Sequence, residues 1–450
     1  MKNVLIIYAD QLRRDVLSCY GGREILTPNI DLIAKEGVLL EECYTSSAVC
    51  TPSRGCLMTG RYPHHNGAIR NGVPVGMAEH GFAEAFVRSG YETCYTGKWH
   101  LAGHRELGEA LGEYNPLGFE KWKYKIEIGH CKSIREENGT VIPGEEVGDS
   151  QSYTTDWLAD EAIKCLEERD ANKPFLHMVS IPDPHQPYSV RSPYNKMFDP
   201  LNVEIPVTFY EKDLPDWAEF DEWGRNHYFP RGLFEREGHL RRMKALYLGM
   251  VKCVDDNVGK ILHYLKENEL WANTIIVFTT DHGEYMGEHG LMEKNNLYES
   301  VYHLPMVISM PGEGCRGSVN HTYFNAVDFG VTLAGLAGIP YTFETDGCDW
   351  SSCLLNGKEG GVRETYIHPS DVPRTGIITA NYELAYVGEG WNGGNFKGHI
   401  LFDRKEDPMQ QDNLYGNPNY DDVVKELLEK IRKHHQKYGT PQEALPLEVL

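Results

Sequence analysis

Four short apolar runs along the chain each end in a cluster of polar residues. The runs lie at 3–11, 92–100, 174–185 and 273–284, and the first of them reads NVLIIYADQ. Near-continuous apolar runs of this length are typical of strands that are buried on both faces of a sheet. The pattern therefore predicts four strands whose polar residues follow at their ends.

Helical patterns separate these runs. Apolar residues recur every four positions at Leu158, Ala162 and Leu166, and again from Leu246 to Leu262. Strands that alternate with helices are typical of an α/β fold, in which helices cover both faces of the sheet. We therefore predict the α/β class.

The polar ends of the four runs contribute Asp10, Lys98, His185 and Asp281. In open α/β sheets the ligand crevice lies beyond the carboxyl ends of the strands. If the four strands are parallel neighbours, these side chains meet at one edge of the sheet. The pattern therefore predicts a single site there.

The pattern changes in two later regions. Residues 186–243 are rich in proline, aromatic and charged residues without a clear period, which predicts a loop-rich insert over the site. After about residue 365, strand-like runs flank a turn rich in glycine and asparagine, and a helix with one apolar face follows. We predict a catalytic α/β domain over 1–365 and a C-terminal α+β subdomain over 366–450.

Composition narrows the class of protein. The 450 residues include 66 acidic and 44 basic ones, and the net charge of -22 argues against binding nucleic acid or anionic membranes through bulk charge. No run approaches the roughly 18 apolar residues of a membrane span, and no secretory signal is visible. We expect a cytoplasmic protein. Its eleven irregularly spaced cysteines predict reduced thiols rather than a disulfide framework or a zinc ribbon.

The stretch CTPSRGCLMTG at 50–60 places a thiol close to a guanidinium. The pattern predicts the start of a helix, with Thr51 or Ser53 as its cap. A helix N-terminus also offers unpaired N–H groups and a positive dipole end, which stabilise an anionic nucleophile or an oxyanion. Arg54 adds a permanent charge with several donors, and Cys50 is the candidate nucleophile.

Two residue pairs at strand ends have the composition of a metal site. Asp10 and Gln11 follow the first run, and Asp281 and His282 follow the last. Two carboxylates with an amide oxygen and an imidazole could neutralise a divalent cation and leave room for substrate oxygens. Taken alone, an Asp-Gln pair at a strand end is more often a helix cap or a turn than a pair of metal ligands, and the second pair is only suggestive.

The segment CTPSRGCLMTGRYP resembles the signature of the type I sulfatases, in which Cys or Ser is followed by x-Pro-x-Arg. Five further segments resemble elements of that family in the same order over nearly the whole chain. They are NVLIIYADQ, TGKWHLAG, DPHQPY, TTDHGEYMGEHGLMEK and LFDRKEDPMQQDNL. The resemblance implies an alkaline phosphatase-like mixed sheet sandwiched by helices, with a smaller C-terminal antiparallel sheet plus helix.

The resemblance also implies a modification of Cys50. In that family a separate maturation enzyme oxidises the cysteine to formylglycine, whose aldehyde is hydrated to a gem-diol. One diol oxygen attacks sulfur to form a sulfo-enzyme, and the other then expels sulfate and regenerates the aldehyde. The unmodified chain is expected to be nearly inactive.

By the same resemblance, Asp10, Gln11, Asp281 and His282 bind one divalent metal, and the modified Cys50 completes its shell. Calcium is the default metal of the family. A neutral amide and a nitrogen ligand also tolerate magnesium or manganese.

The resemblance assigns the remaining roles to basic residues. Arg54 holds the formylglycine hydrate, and Lys98 and Lys294 grip the sulfate oxygens. His100 assists at the diol, and His185 acts as the general acid that faces the leaving-group oxygen.

This sequence departs from the usual pattern at two ligands. Gln11 stands where many sulfatases carry a second aspartate, and His282 replaces the asparagine of the arylsulfatase branch. Phosphonate monoester hydrolases, which have the same modified cysteine, resemble this pattern as well. Lys98 and His100 favour sulfate.

We therefore expect an exo-acting sulfatase for a small, imported, glycan-derived saccharide. Hydrolysis of phosphonate monoesters or phosphodiesters, or of an alkyl sulfate such as choline sulfate, stays open. A third possibility is an inactive sulfatase-like scaffold that binds anions or glycans. The oligomeric state is also open. Several residues could form a sugar platform or be ordinary surface or core positions: Trp217, Trp223, His227, Tyr228, Trp391, Asn392 and Asn395.

Overall fold

In the computed structural model of the protein, the four apolar runs form neighbouring parallel strands of one sheet. They are β1 (Asn3–Asp10), β4 (Glu92–Lys98), β8 (Phe175–Pro184) and β9 (Thr274–Thr280). β1 pairs in parallel with β8 and β9, and β4 pairs in parallel with β8. The four carboxyl ends therefore share one edge of the sheet, as predicted. The structure describes residues 1–103, 114–127, 130–137, 140–144, 146–212, 214–215, 233–294, 297–310, 312, 316–370, 373–388 and 398–450.

Four further strands complete this sheet: β2 (Gly37–Leu40), β5 (Lys121–Ile126), β10 (Met306–Ser309) and β11 (Ser318–Asn320). The eight strands lie in the order β11-β2-β10-β9-β1-β8-β4-β5. β10 runs antiparallel to both β9 and β2, which makes the sheet mixed. The predicted mixed α/β sheet is confirmed.

The sequence of β1 explains why it lies at the centre. Val4 and Ile6 point into one hydrophobic core, and Leu5 and Ile7 point into the core on the opposite face. Because side chains of a strand alternate between the two faces, a strand covered on both sides needs apolar residues at every position.

Helices cover both faces. They are α1 (Pro28–Lys35), α2 (Cys50–Thr59), α3 (Pro63–Asn66), α4 (Phe82–Arg88), α5 (Thr154–Glu167), α6 (Leu233–Glu267), α7 (Glu299–Tyr302), α8 (Phe329–Ala337) and α9 (Ser351–Leu355). Residues of α1, α5 and α6 line one core, and residues of α2, α4 and α8 line the other. Among the described residues, no helix is long and apolar enough to cross a membrane.

The insert predicted as loop-rich over 186–243 is only partly described. It contains short 3-10 turns at Tyr194–Lys196, Pro200–Asn202 and Val207–Tyr210, whereas residues 213 and 216–232 lie outside the described residues. Its last part differs from the prediction, because α6 already begins at Leu233.

The C-terminal region forms a second, antiparallel sheet. Its strands are β13 (Glu364–Ile367), β14 (Arg374–Thr379), β15 (Tyr382–Val387) and β16 (Ile400–Asp403), and α10 (Asp421–Lys437) packs on it. Leu427 and Ile431 of α10 join Ile377, Leu384 and Leu401 of the sheet in one core. The predicted antiparallel sheet plus helix is confirmed, and the boundary predicted after residue 365 falls inside β13.

Two small two-stranded sheets complete the described strands. β3 (Cys43–Tyr44) pairs with β12 (Phe324–Asn325), and β6 (Ile134–Glu137) pairs with β7 (Thr140–Pro143).

The expectation of reduced thiols is wrong for one pair of cysteines. Cys94 of β4 and Cys165 of α5 form a disulfide, although 71 positions separate them. Because α5 packs over the sheet beside β4, the fold brings together two thiols that no sequence spacing connects. The other described cysteines are free, and Cys315 lies outside the described residues.

Candidate active site

Cys50 is the first residue of α2 and is only 1% exposed. Its Sγ lies 3.1 Å from Nε2 of His282. The predicted caps are wrong, because Val49 occupies the cap position without a side-chain hydrogen bond. The Thr51 hydroxyl instead donates to the carbonyl of His100 (3.0 Å), and the Ser53 hydroxyl donates to the carbonyl of Asp281 (2.5 Å). Both hydroxyls lie within the first turn of the helix and tie it to two strand ends.

The predicted metal ligands come together around this thiol. Side-chain ligand atoms of Asp10, Cys50, Asp281 and His282 all lie within 4.8 Å of one another, and all four residues are buried. His282 Nδ1 donates to the carbonyl of Gly283 (2.9 Å), so its Nε2 keeps a lone pair for a ligand.

A buried atom at this cluster lacks a partner. Asp10 Oδ1 has no hydrogen bond among the described residues, although a buried carboxylate oxygen is costly to leave unpaired. Two carboxylates, one of them with this unpaired oxygen, and an imidazole nitrogen suit a divalent cation. These residues therefore fit the metal that the sequence predicts.

Gln11 contacts the cluster through its backbone N–H, and its side-chain oxygen contacts Lys294. Its Oε1 accepts a hydrogen bond from Lys294 Nζ (2.5 Å). Its backbone has a φ of 61°, in the left-handed region that non-glycine residues rarely adopt. Such a backbone persists only where the surroundings impose it, and its N–H donates to Asp281 Oδ1 (3.0 Å).

Arg54 is buried and clamps the two carboxylates. Its Nε donates to Asp281 Oδ2 (3.0 Å) and its Nη2 to Asp10 Oδ2 (2.8 Å). Its Nη1 donates to the carbonyl of Lys98 (3.0 Å) and to the Ser180 hydroxyl (2.9 Å). Burial would raise the pKa of Asp10, but Lys98 and Arg54 outweigh burial and hold that pKa well below its usual range.

Two ammonium groups supply a local positive charge that the acidic chain lacks overall. Lys98 Nζ pairs with Asp10 Oδ2 (2.5 Å), and Lys294 Nζ contacts His185 Nε2 (2.9 Å). Burial would raise the pKa of the Cys50 thiol, but Lys294 and Lys98 outweigh burial and bring the pKa below its usual value. The site therefore stabilises negative charge at position 50.

The two predicted catalytic histidines are neutral at rest. Burial, His130 and Lys294 hold the pKa of His185 well below its usual value, and burial with Lys98 does the same for His100. His185 Nδ1 donates to the carbonyl of Gln186 (2.8 Å), so Nε2 is the nitrogen that can take a proton.

Sequence reasoning missed two residues of this site. His130 stacks on His185 with ring centroids 3.8 Å apart, and its Nε2 lies 3.0 Å from Lys98 Nζ. It follows β5, whose carboxyl end lies at the same sheet edge, but the mixed charged and apolar sequence of β5 concealed this strand end. Glu284 belongs to the segment DHGE, yet its contact with Gln11 Nε2 could be found only in three dimensions.

The residues considered for a sugar platform lie outside the described residues. They are Trp217, Trp223, His227, Tyr228, Trp391, Asn392 and Asn395.

Comparisons with known proteins find similarity along nearly the whole chain. A family model described as Sulfatase matches residues 2–339, and one described as N-sulphoglucosamine sulphohydrolase, C-terminal, matches residues 287–437. An N-acetylglucosamine-6-O-sulfatase of Bacteroides thetaiotaomicron is 27% identical, over 97% of this chain and 86% of that protein. The multifunctional alkaline phosphatase superfamily protein PehA of Trinickia caryophylli is 26% identical, over 95% of this chain and 94% of that protein.

Solved structures share the fold. One, in complex with its substrate D-glucosamine-2-N,6-O-disulfate, superposes with a TM-score of 0.86 at 25% identity and covers 98% of this chain and 99% of that one. A phosphonate monoester hydrolase of Agrobacterium radiobacter superposes with a TM-score of 0.79 at 25% identity, over 97% of this chain and 96% of that one.

Proposed function

Because the chain belongs to the sulfatase family of hydrolases, we propose that it cleaves a sulfate ester on a small saccharide derived from a glycan. The observation that carries the sulfate assignment is the pair of ammonium groups, Lys98 buried and Lys294 half-buried, which lower the pKa of the thiol at Cys50. A saccharide is supported by one relative named for N-acetylglucosamine-6-sulfate and by a similar structure that holds a disulfated glucosamine.

The depth of the site supports exo action. Cys50, Lys98 and His185 are all buried, so a substrate has to bring its sulfate group below the protein surface to reach them. A terminal sugar can insert its sulfate there, whereas an internal unit of a long chain carries neighbours on both sides. The cytoplasmic location, and with it the import of the substrate, stays a prediction.

Cys50 would act after oxidation to formylglycine by a maturation enzyme. The hydrated aldehyde would supply a nucleophilic oxygen for attack on sulfur and a second hydroxyl for release of sulfate. The positive end of α2 and the nearby ammonium groups stabilise negative charge at this position.

A divalent cation, calcium by preference, would be held by Asp10, Gln11, Asp281 and His282. Bound there, it would add Lewis acidity and charge neutralisation beside position 50. The unpartnered Asp10 Oδ1 supports this assignment.

The histidines would move protons. His100, neutral at rest, would take a proton from a hydroxyl at position 50. The negative charge of an entering sulfate ester raises the pKa of His185, whose Nε2 then carries the proton that the leaving oxygen needs. Lys294, which now contacts this nitrogen, would turn to a sulfate oxygen.

The test is a screen of matured protein against defined sulfated mono- and disaccharides, with release of inorganic sulfate as the measurement. We expect turnover of at least one terminally sulfated sugar. Cys50→Ala is the matched control, since it keeps the backbone of the helix but has no heteroatom from which the aldehyde could form, and it should be nearly inactive. Lack of sulfate release from every sugar would contradict the proposal.

A second candidate is hydrolysis of a phosphonate monoester or phosphodiester. The ligand pair Gln11 and His282 and the likeness to a phosphonate monoester hydrolase favour it. We propose to compare kcat/KM for 4-nitrophenyl sulfate and for an aryl phosphonate monoester on the same preparation. A clear preference for the phosphonate would replace the sulfatase assignment.

The inactive-scaffold alternative is tested by mass spectrometry. Conversion of Cys50 to formylglycine lowers the mass of its peptide by roughly 18 Da. We expect this shift in protein isolated from its native host, and its absence there would favour a binding protein.

A further inference from the structure

The side-chain amide of Gln11 lies between a cation and a carboxylate. Its Oε1 accepts from Lys294 Nζ (2.5 Å), while its Nε2 donates to Glu284 Oε2 and to Gln186 Oε1 (2.9 Å). A lysine ammonium has only donors and an ionised carboxylate has only acceptors. The orientation of the amide is therefore fixed from both ends.

Glu284 has no freedom to release this contact. Its Oε1 accepts from the backbone N–H groups of Met286 (3.1 Å) and Glu293 (2.5 Å). Its Oε2 accepts from the hydroxyl of Tyr188 (2.9 Å) as well as from Gln11 Nε2. The side chain is fully buried, and every one of these four partners is a donor.

We propose that Glu284 is a positioning residue that fixes the amide of Gln11 so that Oε1, and not the NH2 group, is offered to the divalent cation. This inference rests on the proposed function, which requires that cation. It also gives a reason for an amide at position 11, where the resemblance to the sulfatase signature leads one to expect a carboxylate. A second carboxylate there would face Glu284 with acceptor against acceptor, and both would be buried and negative.

A single substitution at either residue removes the donor–acceptor match between Gln11 and Glu284. In Glu284→Gln, the backbone N–H groups of Met286 and Glu293 bind the remaining oxygen, which turns the new NH2 group toward Gln11 Nε2. Two donors then oppose each other, and the Gln11 amide relieves the clash by turning its own NH2 toward the cation. In Gln11→Glu, two acceptors oppose each other instead.

Exchanging both groups restores the match. The double variant Gln11→Glu/Glu284→Gln has the same net charge and nearly the same shape as the wild type, with carboxylate and amide interchanged. The new amide donates to the new carboxylate, which keeps its second oxygen for the cation. A residue with a merely structural role would not be rescued by this exchange.

The experiment is isothermal titration of calcium chloride into EDTA-treated, dialysed protein. We expect Glu284→Gln to raise the Kd for calcium by about 10- to 100-fold, the usual effect of losing a group that orients a metal ligand. If the Kd of Glu284→Gln rises by nearly 100-fold, the double variant should recover at least tenfold of that rise. In every case the double variant should bind calcium more tightly than Glu284→Gln. Glu288→Gln is the matched control, since it removes a charge from the same loop where Glu288 pairs with Arg13 (2.6 Å), and its Kd should stay within about twofold of wild type.

Two results would overturn the inference alone: a wild-type Kd in Glu284→Gln, or a double variant that binds no better than Glu284→Gln. If Glu284→Gln does not fold, the double variant becomes the test. A double variant that folds and binds calcium supports the pairing, and a double variant that fails to fold or fails to bind calcium refutes it. A wild-type protein that binds neither calcium, magnesium nor manganese would overturn both this inference and the metal of the proposed function.

Discussion

Acidification should weaken the packing of α10 on the C-terminal sheet, because His435 is buried there as a neutral ring. His435 is 3% exposed, and its Nε2 lies 2.5 Å from the Thr375 hydroxyl. That hydroxyl donates to the carbonyl of Ile367 (2.9 Å), so it accepts from Nε2–H. Nδ1 then accepts from the Thr440 hydroxyl (2.9 Å). A second ring proton, on Nδ1, would force the Thr440 hydroxyl to turn from donor to acceptor.

The surroundings of His435 oppose a positive charge. His368 packs at 5.1 Å between ring centroids, and His434 at 5.7 Å. The Lys437 ammonium lies over the neighbouring Tyr438 ring. The nearby acid Asp346 is already paired with His65 (2.7 Å). Within the part of the chain that the structure describes, no acid forms an ion pair with His435, so its protonation would add positive charge beside these basic groups.

The size of the stability loss follows from the pKa of His435. Burial, with a smaller contribution from His64, lowers that pKa from 6.5 to about 4. A base whose pKa is lower in the folded state stabilises the fold above pH 6.5, and that stability is lost as the pH falls toward 4. At about 1.4 kcal/mol per pKa unit, the full loss is about 3 kcal/mol, of which about 2 kcal/mol is already lost at pH 5.

The assay is urea unfolding of wild type and His435→Gln at pH 7.5 and pH 5.0. Glutamine can still donate to Thr375 but does not titrate. Between the two pH values, the free energy of unfolding of wild type should fall by about 2 kcal/mol more than that of the variant. His263→Gln, at an exposed histidine of α6, is the control and should behave as wild type. Equal losses in wild type and His435→Gln would refute the reasoning.

Three further predictions concern the site. His185→Asn should lower kcat on sulfated sugars by about 10²- to 10⁴-fold but spare 4-nitrophenyl sulfate, because a good leaving group needs no general acid; equal losses on both substrates would contradict this role. Arg54→Ala should destabilise the fold by about 3–5 kcal/mol in urea, since Asp281 is left buried without its cation and Asp10 keeps only Lys98, and an unchanged midpoint would be inconsistent with the clamp. Lys294→Ala should lower kcat/KM for sulfate esters by about 10²- to 10³-fold with little change in the urea midpoint, and recovery in Lys294→Arg but not in Lys294→Met would trace the loss to charge.

The fold was predictable where local sequence reports a local environment. The run that forms β1 is apolar at every position because both of its faces are covered, and polar residues such as Asp10 mark its end. The hydroxyls of Thr51 and Ser53 were misread as caps because their partners, the carbonyls of His100 and Asp281, are distant in sequence. The disulfide of Cys94 was hidden for the same reason. Local patterns predict elements and their ends, whereas pairings across the fold require the structure.

The donor count of the three cations at the site explains how a protein of net charge -22 can bind a sulfate. Lys98 uses two of its three N–H donors on Asp10 and His130, and Lys294 uses two on Gln11 and His185. Among the described contacts, each lysine therefore keeps one donor.

Arg54 uses four of its five donors on the carboxylates, a carbonyl and a hydroxyl, and also keeps one. Three donors on three different cations can meet three oxygens of one sulfate while the contacts of these cations with Asp10, Asp281 and Gln11 persist, and only the contact of Lys294 with His185 is given up. Because no cation has to abandon a buried carboxylate, the anion is bound without the cost of unpairing one. Local pairing, and not the charge of the whole chain, thus sets the affinity for an anion.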